Sequence, residues 1–390
     1  MLRHPLRSIT VLVAVLLFVL SIWSMAAASG SDGHSIAPVR NNLKKWRIGY
    51  YEGGPYQNYQ RTLREIVSAL QEIGWVAPAS LPDLLDFQDT TALWAWLAEP
   101  GRSEYVEFVP DAYWSAVWND QIREANKAQA LERMTKVKDL DLVIAMGTWA
   151  GQDLAGGELT VAVEVCSSSD PVDAGIVASV SDSGLDNVHT HVDPDLVGSQ
   201  VRLFHQVAGF KRLGMFFENT DAGRSYAGLD SVRKLAGELG FAVVQCNTVD
   251  DSMDQELSEQ SVLACADTLA AADVDAVYLT DQNGLTPYVL PMILDIFYAV
   301  HAPTFIQTNL GEVRKGVTFG LSGDMFRDLG RFHAWSMAKI FNGAKPRELK
   351  QVMRIPAKLV VNLEAAKRIG FVPSLDILQS ADELYSSMEP

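Results

Sequence analysis

Three short stretches gather side chains that could bind or react. Residues 49–60 read GYYEGGPYQNYQ, setting Tyr50, Tyr51, Glu52, Tyr56, Asn58 and Tyr59 around a Gly-Gly-Pro turn. Tyrosine rings at a loop can cover the apolar part of a ligand or stack on a cation. Glu52 and Asn58 offer polar contacts or caps, and aromatic packing beneath the turn is the competing structural reading. Tyr50 and Tyr51 are neighbours on one strand, so they point to opposite faces and one packs inward. Residues 189–193 read HTHVD, and on a strand His189, His191 and Asp193 would share one face. Two imidazoles and a carboxylate at that spacing could ligate a metal, but a strand edge with two surface histidines is the expectation, and no metal is assigned. In FENTDAGRSYAG (217–228), Arg224 either faces a cleft or lies in a first helical turn capped by Asn219, Thr220 or Asp221.

Catalytic signatures do not accompany these groups. The chain has no GxSxG elbow, no HExxH, no GxxxxGK[ST] and no GxGxxG after a strand. Carboxylates are numerous, yet no pair is marked by spacing for acid–base work. The expectation is a protein that is not an enzyme and carries no cofactor.

The hydrophobic pattern shows what must position these residues. WRIGYY (46–51) is a strand, followed by helical spacing at Leu63, Ile66, Val67 and Leu70. Further strands are expected at 105–110, 140–147, 159–165, 212–218, 241–246, 274–280, 303–308 and 316–322, with helices between most of them. Apolar strands alternating with helices imply parallel sheets with right-handed crossovers, whose ligand sites lie beyond the strands' carboxyl ends. GYYEGGPYQNYQ sits at such an end. The segment from Leu81 to Gly101 breaks the rhythm, and its Trp94 and Trp96 read as packing residues.

A chain of 390 residues is long enough for two domains. Its first residues carry Arg3 and Arg7, an apolar run from Ile9 to Trp23 and Ala26-Ala27-Ala28, the pattern of a cleaved signal peptide over 1–28, with a polar leader over 29–44. Removing the two arginines takes the formal charge from −16 to −18, a surface that repels nucleic acid and anionic lipid. No later segment reads as a membrane span, so a periplasmic protein without stable membrane insertion is expected. Cys246 and Cys265 could pair in an oxidising compartment, but isolated buried thiols are the expectation for Cys166, Cys246 and Cys265.

Several segments together resemble the ABC-transporter substrate-binding protein family, the group that includes tryptophan- and tyrosine-binding members. They are DLVIAMGTWAGQDLA (141–155), SSSDPVDAGIV (167–177), VDAVYLTDQNG (274–284), GVTFGLSGDMFRDLGRFHAWSMAKIFNGAKPREL and LVVNLEAAKRIGFVPSLDILQSADELY. The last two are the most specific, through their order of Gly-Asp, Leu-Gly-Arg, Ala-Lys-Ile, Asn-Gly and Val-Asn-Leu-x-x-Ala-Lys. The resemblance spans Trp46 to Tyr385 and weakens between Leu81 and Gln129. No lipobox cysteine follows the apolar run, so the family's membrane tether is not carried over.

The resemblance implies the type I periplasmic-binding-protein fold, α/β, with two Rossmann-like lobes of parallel sheet joined by a three-strand hinge and a ligand cleft between them. The first lobe would take 45–167 plus 286–318 and the second 170–283 plus 322–385, with crossings near CSSSDP, TDQNG and GLSGD. Thr148, after a buried strand and before a helix, would act as N-cap with free amides facing the cleft; Ser168 and Ser169 would add hydroxyls. Asp281 resembles the family's acceptor for a ligand amino group, with Asn283 beyond it. Asn309 and Asp324 are weaker candidates, and Glu52 and Tyr56 complete the expected site from the opening stretch. The implied function is an exported receptor that delivers a small amino-acid-like or aromatic ligand to an ABC permease. A sensor feeding a membrane signalling protein and an exported hydrolase are the alternatives.

Overall fold

The protein is described by a computed structural model covering residues 33–83, 88–156, 159–308, 310–321, 325–354 and 358–389. The expected signal peptide lies outside the described residues, as do the leader's first residues. No helix among the described residues is long and apolar enough to cross a membrane.

The first sheet contains β1 (Trp46–Glu52), β2 (Val106–Ser115), β3 (Leu142–Met146), β4 (Ala162–Cys166) and β5 (Val188–Thr190) in the order β2-β1-β3-β4-β5. Every neighbouring pair in it is parallel. Helices α1 (Gln57–Glu72), α2 (Thr91–Leu97), α3 (Asp120–Glu132) and α4 (Thr148–Leu154) supply the crossovers and cover its faces. β3 and β4 are buried along their whole length, as expected of parallel strands covered on both sides. The segment that breaks the sequence rhythm forms α2, whose buried Trp94 donates its indole N–H to the Val109 carbonyl at 3.1 Å.

The second sheet follows α5 (Leu196–Ala208) and contains β6 (Arg212–Glu218), β7 (Ala242–Thr248), β8 (Ala276–Leu279), β9 (Thr304–Ile306), β10 (Phe319–Leu321), β11 (Leu359–Asn362) and β12 (Glu383–Tyr385). Its order is β12-β11-β10-β9-β8-β6-β7, parallel except for the antiparallel pair β10 and β11. Around it run α6 (Asp221–Tyr226), α7 (Leu229–Leu239), α8 (Gln255–Ala271), α9 (Leu290–Ala299) and α10 (Leu310–Arg314), and after β11 come α12 (Leu363–Arg368) and α13 (Leu375–Ser380).

The helix between β10 and β11 is α11 (Met325–Phe341), and it leaves this sheet to pack on α1 of the first lobe. The two helices approach closely at Gly330, where a Cβ would sit 2.5 Å from the Glu65 backbone carbon. Ala334, Met337, Ala338 and Phe341 bury themselves in the first lobe's core beside Leu63, Ile66 and Leu70. The chain therefore changes lobe after β5, between β10 and α11, and again before β11. The first and last passages pair with each other through the parallel bridge of Val192 and Val352.

This topology corrects the expected lobe boundaries. Residues 286–318 belong to the second sheet, because β9 pairs with β8 (Val277 with Thr304) and β10 pairs with β9 (Phe319 with Phe305). Residues 325–341 belong to the first lobe. CSSSDP and TDQNG are loops at strand ends rather than crossings.

A second correction concerns the thiols. Cys246 on β7 and Cys265 on α8 have Cα atoms 5.5 Å apart and form a disulfide, because the helix following the edge strand lies against it. Cys166 remains a buried thiol.

Candidate functional site

Loops at the strand ends of the two lobes face one another across a hollow of about 540 Å³ that opens to solvent. Its lining follows the carboxyl ends of strands in both sheets: Tyr56, Asn58 and Tyr59 after β1, Trp118 after β2, Thr148 and Trp149 after β3, Ser167 and Ser169 after β4, Tyr226 after β6, Asp250 and Asp251 after β7, Asp281 and Asn283 after β8. A neighbouring hollow of about 560 Å³ shares Asn58, Ser167, Ser169 and Asp281 and reaches Ser168, Thr308, His191 and Phe326.

The first lobe contributes a chain of aromatic rings. Tyr56 meets Tyr59 edge-on at 5.1 Å between centroids, Tyr59 meets Trp118 at 6.2 Å, and Trp118 meets Trp149 edge-on at 5.6 Å. Gly147 has φ 91°, and a Cβ there would collide with the Tyr59 hydroxyl, so only glycine lets this ring lie across the end of β3. Arg123 stacks 4.3 Å over Trp149 while its guanidinium grips Asp153 at 2.8 and 3.1 Å.

The second lobe contributes carboxylates. Just beyond β8, Gln282 turns inward, accepting from Thr248 and donating to the Phe216 carbonyl, both at 2.5 Å, while Asp281 and Asn283 on either side of it line the hollow. Burial pushes the Asp281 carboxyl up to about 6, opposed first by the hydrogen bond that Thr308 donates and then by Arg61. Burial also raises Asp250, with Glu218 and Asp281 adding repulsion, while the Asn283 backbone N–H donates to its carboxylate at 2.5 Å. Asp251 rises through burial and then through Asp250 and Glu218. Such a wall favours a positively charged occupant. The lobes already touch here, because Asn58 donates to the Thr308 hydroxyl at 3.4 Å.

Residues 116–385 match the family described as ABC transporter substrate binding protein. The chain belongs to this family. Its fold is that of type I periplasmic binding proteins. An ABC domain in complex with L-Trp from Streptococcus pneumonia is similar at TM-score 0.65 and 17% identity, over 87% of this chain and 100% of that one. A conserved domain protein from Vibrio cholerae is similar at TM-score 0.64 and 18% identity, over 87% and 100% of the two chains. A ligand-free, open substrate-binding protein with adhesive properties from Clostridium difficile is similar at TM-score 0.56 and 18% identity, over 88% and 100%. No curated protein matches the chain.

Within this substrate-binding protein, the residues expected at the site have different fates. Tyr56, Thr148, Ser169, Asp281 and Asn283 come together in the first hollow, and Ser168 lines its neighbour. Thr148 is not the N-cap: Gly147 holds that position, and the Thr148 hydroxyl lies 3.5 Å from that of Ser168. Asn309 and Asp324 lie outside the described residues. Arg224 is tied to Asn219 at 2.8 Å in a turn capped by Thr220, and it does not line either hollow.

Glu52 is a correction. It is 1% exposed and lines neither hollow; Tyr50 and Thr90 donate to its Oε2 at 2.7 and 2.8 Å, and Tyr113 to its Oε1 at 3.2 Å. The carboxylate end of β1 points under the aromatic layer, where hydroxyl donors satisfy it. Burial still raises it to about 7.

The HTHVD histidines are not a surface edge. His189 on β5 and His333 on α11 both place Nδ1 on the buried Glu164 carboxylate of β4, at 3.0 and 2.7 Å. His191 lies 2.9 Å from the Met353 carbonyl through Nε2, and burial holds its pKa down to about 4. The group fastens the first passage between lobes to α11. Among the described residues no cluster of three metal-ligating side chains occurs.

The residues that sequence reasoning missed are Trp118, Trp149, Tyr226, Asp250 and Asp251. Trp149 directly follows Thr148, and the pair Asp250-Asp251 follows β7 after Val249, so position after a strand was the available signal.

Proposed function

We propose that this chain is the exported receptor of an ABC importer, holding a small amino-acid-like or aromatic organic ligand between its lobes and passing it to a permease. One observation carries the reading: aromatic rings of one lobe face the carboxylates of the other across a single hollow. The rings can cover a flat or apolar body, and Asp281 can accept from an ammonium group in a partly dry site. A similar fold from Streptococcus is in complex with L-Trp, a ligand with both features.

Binding proceeds without covalent change. A ligand that touches both walls favours the closed arrangement by the difference in its affinity for closed and open states. Thermal-shift measurement against amino acids, aromatic amines and aromatic acids tests the reading, since a ligand that binds only the folded form raises its melting temperature. Absence of a shift across that panel overturns it. Detection of the chain in an osmotic-shock fraction tests its export.

A further inference from the structure

The hollow's second wall has more acceptor capacity than one ammonium group can use. Asn283 is 4% exposed, and among the described residues no donor reaches its Oδ1. Its orientation is fixed, because its Nδ2 donates to the Asp250 carbonyl at 3.2 Å. Asn58 is also 4% exposed and likewise presents an Oδ1 without a donor. A buried acceptor left without a donor keeps its full desolvation cost, so two such oxygens on residues lining the hollow fit a ligand that brings donors to them.

These acceptors line the same hollow as the carboxylates of Asp250, Asp251 and Asp281, and among the described residues no Lys or Arg side chain lines it. Arg61 acts on Asp281 and Arg123 on Asp251, but the neighbours acting on Asp250 by charge are Glu218 and Asp281, both repulsive. Arg123 is already committed to Asp153. An ammonium at Asp281 therefore leaves the Asn283 Oδ1 without a donor, and leaves Asp250 and Asp251 held by neutral donors alone, the Asn283 backbone N–H and the Tyr226 side chain for the first and the Trp149 side chain for the second.

We propose that the ligand carries two positively charged nitrogen groups, one received by Asp281 and the other by Asp250, Asp251 and the Asn283 Oδ1. This rests on the solute-binding reading above and narrows its ligand class to organic dications. The carbon skeleton between the charges lies against Tyr56, Tyr59 and Trp118, whose ring faces also favour cations.

Isothermal titration calorimetry of the purified protein with α,ω-diaminoalkanes, the monoamines of equal length, L-lysine and L-tryptophan tests it. A dicationic probe should bind at least about tenfold tighter than the matching monoamine, and its affinity should fall as salt rises. Asp251→Asn should weaken the best dication about tenfold more than it weakens the monoamine, because the second charge loses its direct acceptor while the group at Asp281 keeps its own. Asp250→Asn gives the same split, and melting temperatures show that both variants fold. If L-tryptophan or a monoamine binds as tightly as every dication, or if Asp251→Asn weakens both probes equally, the inference is overturned while the solute-binding reading stands. If no probe of either kind binds, the inference falls, and the wider thermal-shift panel decides the solute-binding reading separately.

Discussion

A Cβ added at Gly54 would lie 2.6 Å from the indole nitrogen of Trp118. At Gly53 the corresponding approach to the same ring is 2.8 Å. The Gly-Gly pair is therefore a flat floor for an aromatic side chain that follows a different strand. Trp118 pays for its place with φ 59°, after Val117 at φ 45°, a left-handed pair unusual for such residues. Its backbone N–H donates to the Gly53 carbonyl at 2.9 Å and its indole N–H to the Pro55 carbonyl at 3.0 Å, which hold that geometry.

Gly54→Ala should lift the Trp118 ring from this floor. Overpacking of this kind costs about 1–3 kcal/mol, so the melting temperature should fall and intrinsic tryptophan fluorescence should shift. Trp118→Ala removes the ring altogether, and Gly54→Ala in that background should then cost less than in the parent. An equal cost in both backgrounds would show that the glycine serves the backbone and not the indole.

Glu52 supplies a pH dependence that can be isolated. Its carboxyl is raised from 4.5 to about 7 by burial, so between those values the folded state holds a proton the unfolded state has lost. Stability from this group is complete below 4.5 and falls as pH rises through 7, by about 3 kcal/mol in all. His191 acts in the opposite sense, since its folded value of about 4 lies below its ordinary 6.5 and stability is lost as pH falls through that window. Comparing melting curves of Glu52→Gln with the parent cancels the histidine. The variant should gain on the parent as pH rises from about 5 to about 8; parallel curves would show that Glu52 has no raised value.

The disulfide between Cys246 and Cys265 closes a segment with a sequence separation of 19. A crosslink of that span stabilises by about 3 kcal/mol, mainly by restricting the unfolded chain. Reduction, or Cys246→Ser with Cys265→Ser, should lower the melting temperature. Alkylation of the unfolded, unreduced protein followed by intact mass should reveal one thiol, that of Cys166, and three only after reduction. Modification of all three cysteines in the unreduced, unfolded protein would exclude the bond.

Legibility followed how local each signal was. β1, β3, β4, β6 and β8 are apolar runs with turn residues at their ends, so Tyr56, Thr148, Ser169, Asp281 and Asn283 could be assigned to strand ends from sequence, and they do line the cleft. Lobe membership could not be read this way, because periodicity identifies a strand without naming the strand beside it. β9 and β10 were recognisable, but only their pairing with β8 assigns them to the second sheet. The histidines show the same limit: Glu164 is 25 residues from His189 and 169 from His333, so neither contact leaves a spacing pattern. Trp118 was hidden because Asp111 interrupts the apolar pattern of β2 and suggested an early strand end. β7 was expected to end at 246 but runs on to Thr248, so Asp250 and Asp251 were not placed at its carboxyl end.

The buried group of Glu164, His189 and His333 should matter more to stability than to binding. Removing the Glu164 carboxylate leaves the Nδ1 atoms of His189 and His333 buried without their partner, each at about 1–3 kcal/mol. Glu164→Leu is therefore expected to lower the denaturation midpoint strongly, with a ligand affinity close to the parent's wherever the variant is folded. Loss of affinity with an unchanged midpoint would move this group from scaffold to site.

Asp281 is the reverse case. Its carboxyl faces the hollow, accepts from Thr308, and is pushed up to about 6 chiefly by burial. Asp281→Asn keeps an oxygen for the Thr308 hydroxyl while deleting a charge that the unliganded protein holds at a cost. The unliganded variant should consequently melt at or slightly above the parent near neutral pH. Hydrogen bonds to charged groups contribute roughly 1.5–3 kcal/mol, so affinity for an amine-bearing ligand should fall by about one to two orders of magnitude. Because deprotonation of Asp281 accompanies amine binding, the parent's affinity should also weaken as pH falls below about 6, whereas the variant's should not follow that curve. Calorimetry of both proteins across that range separates the roles: a variant that melts lower but binds as the parent does would make Asp281 a structural residue.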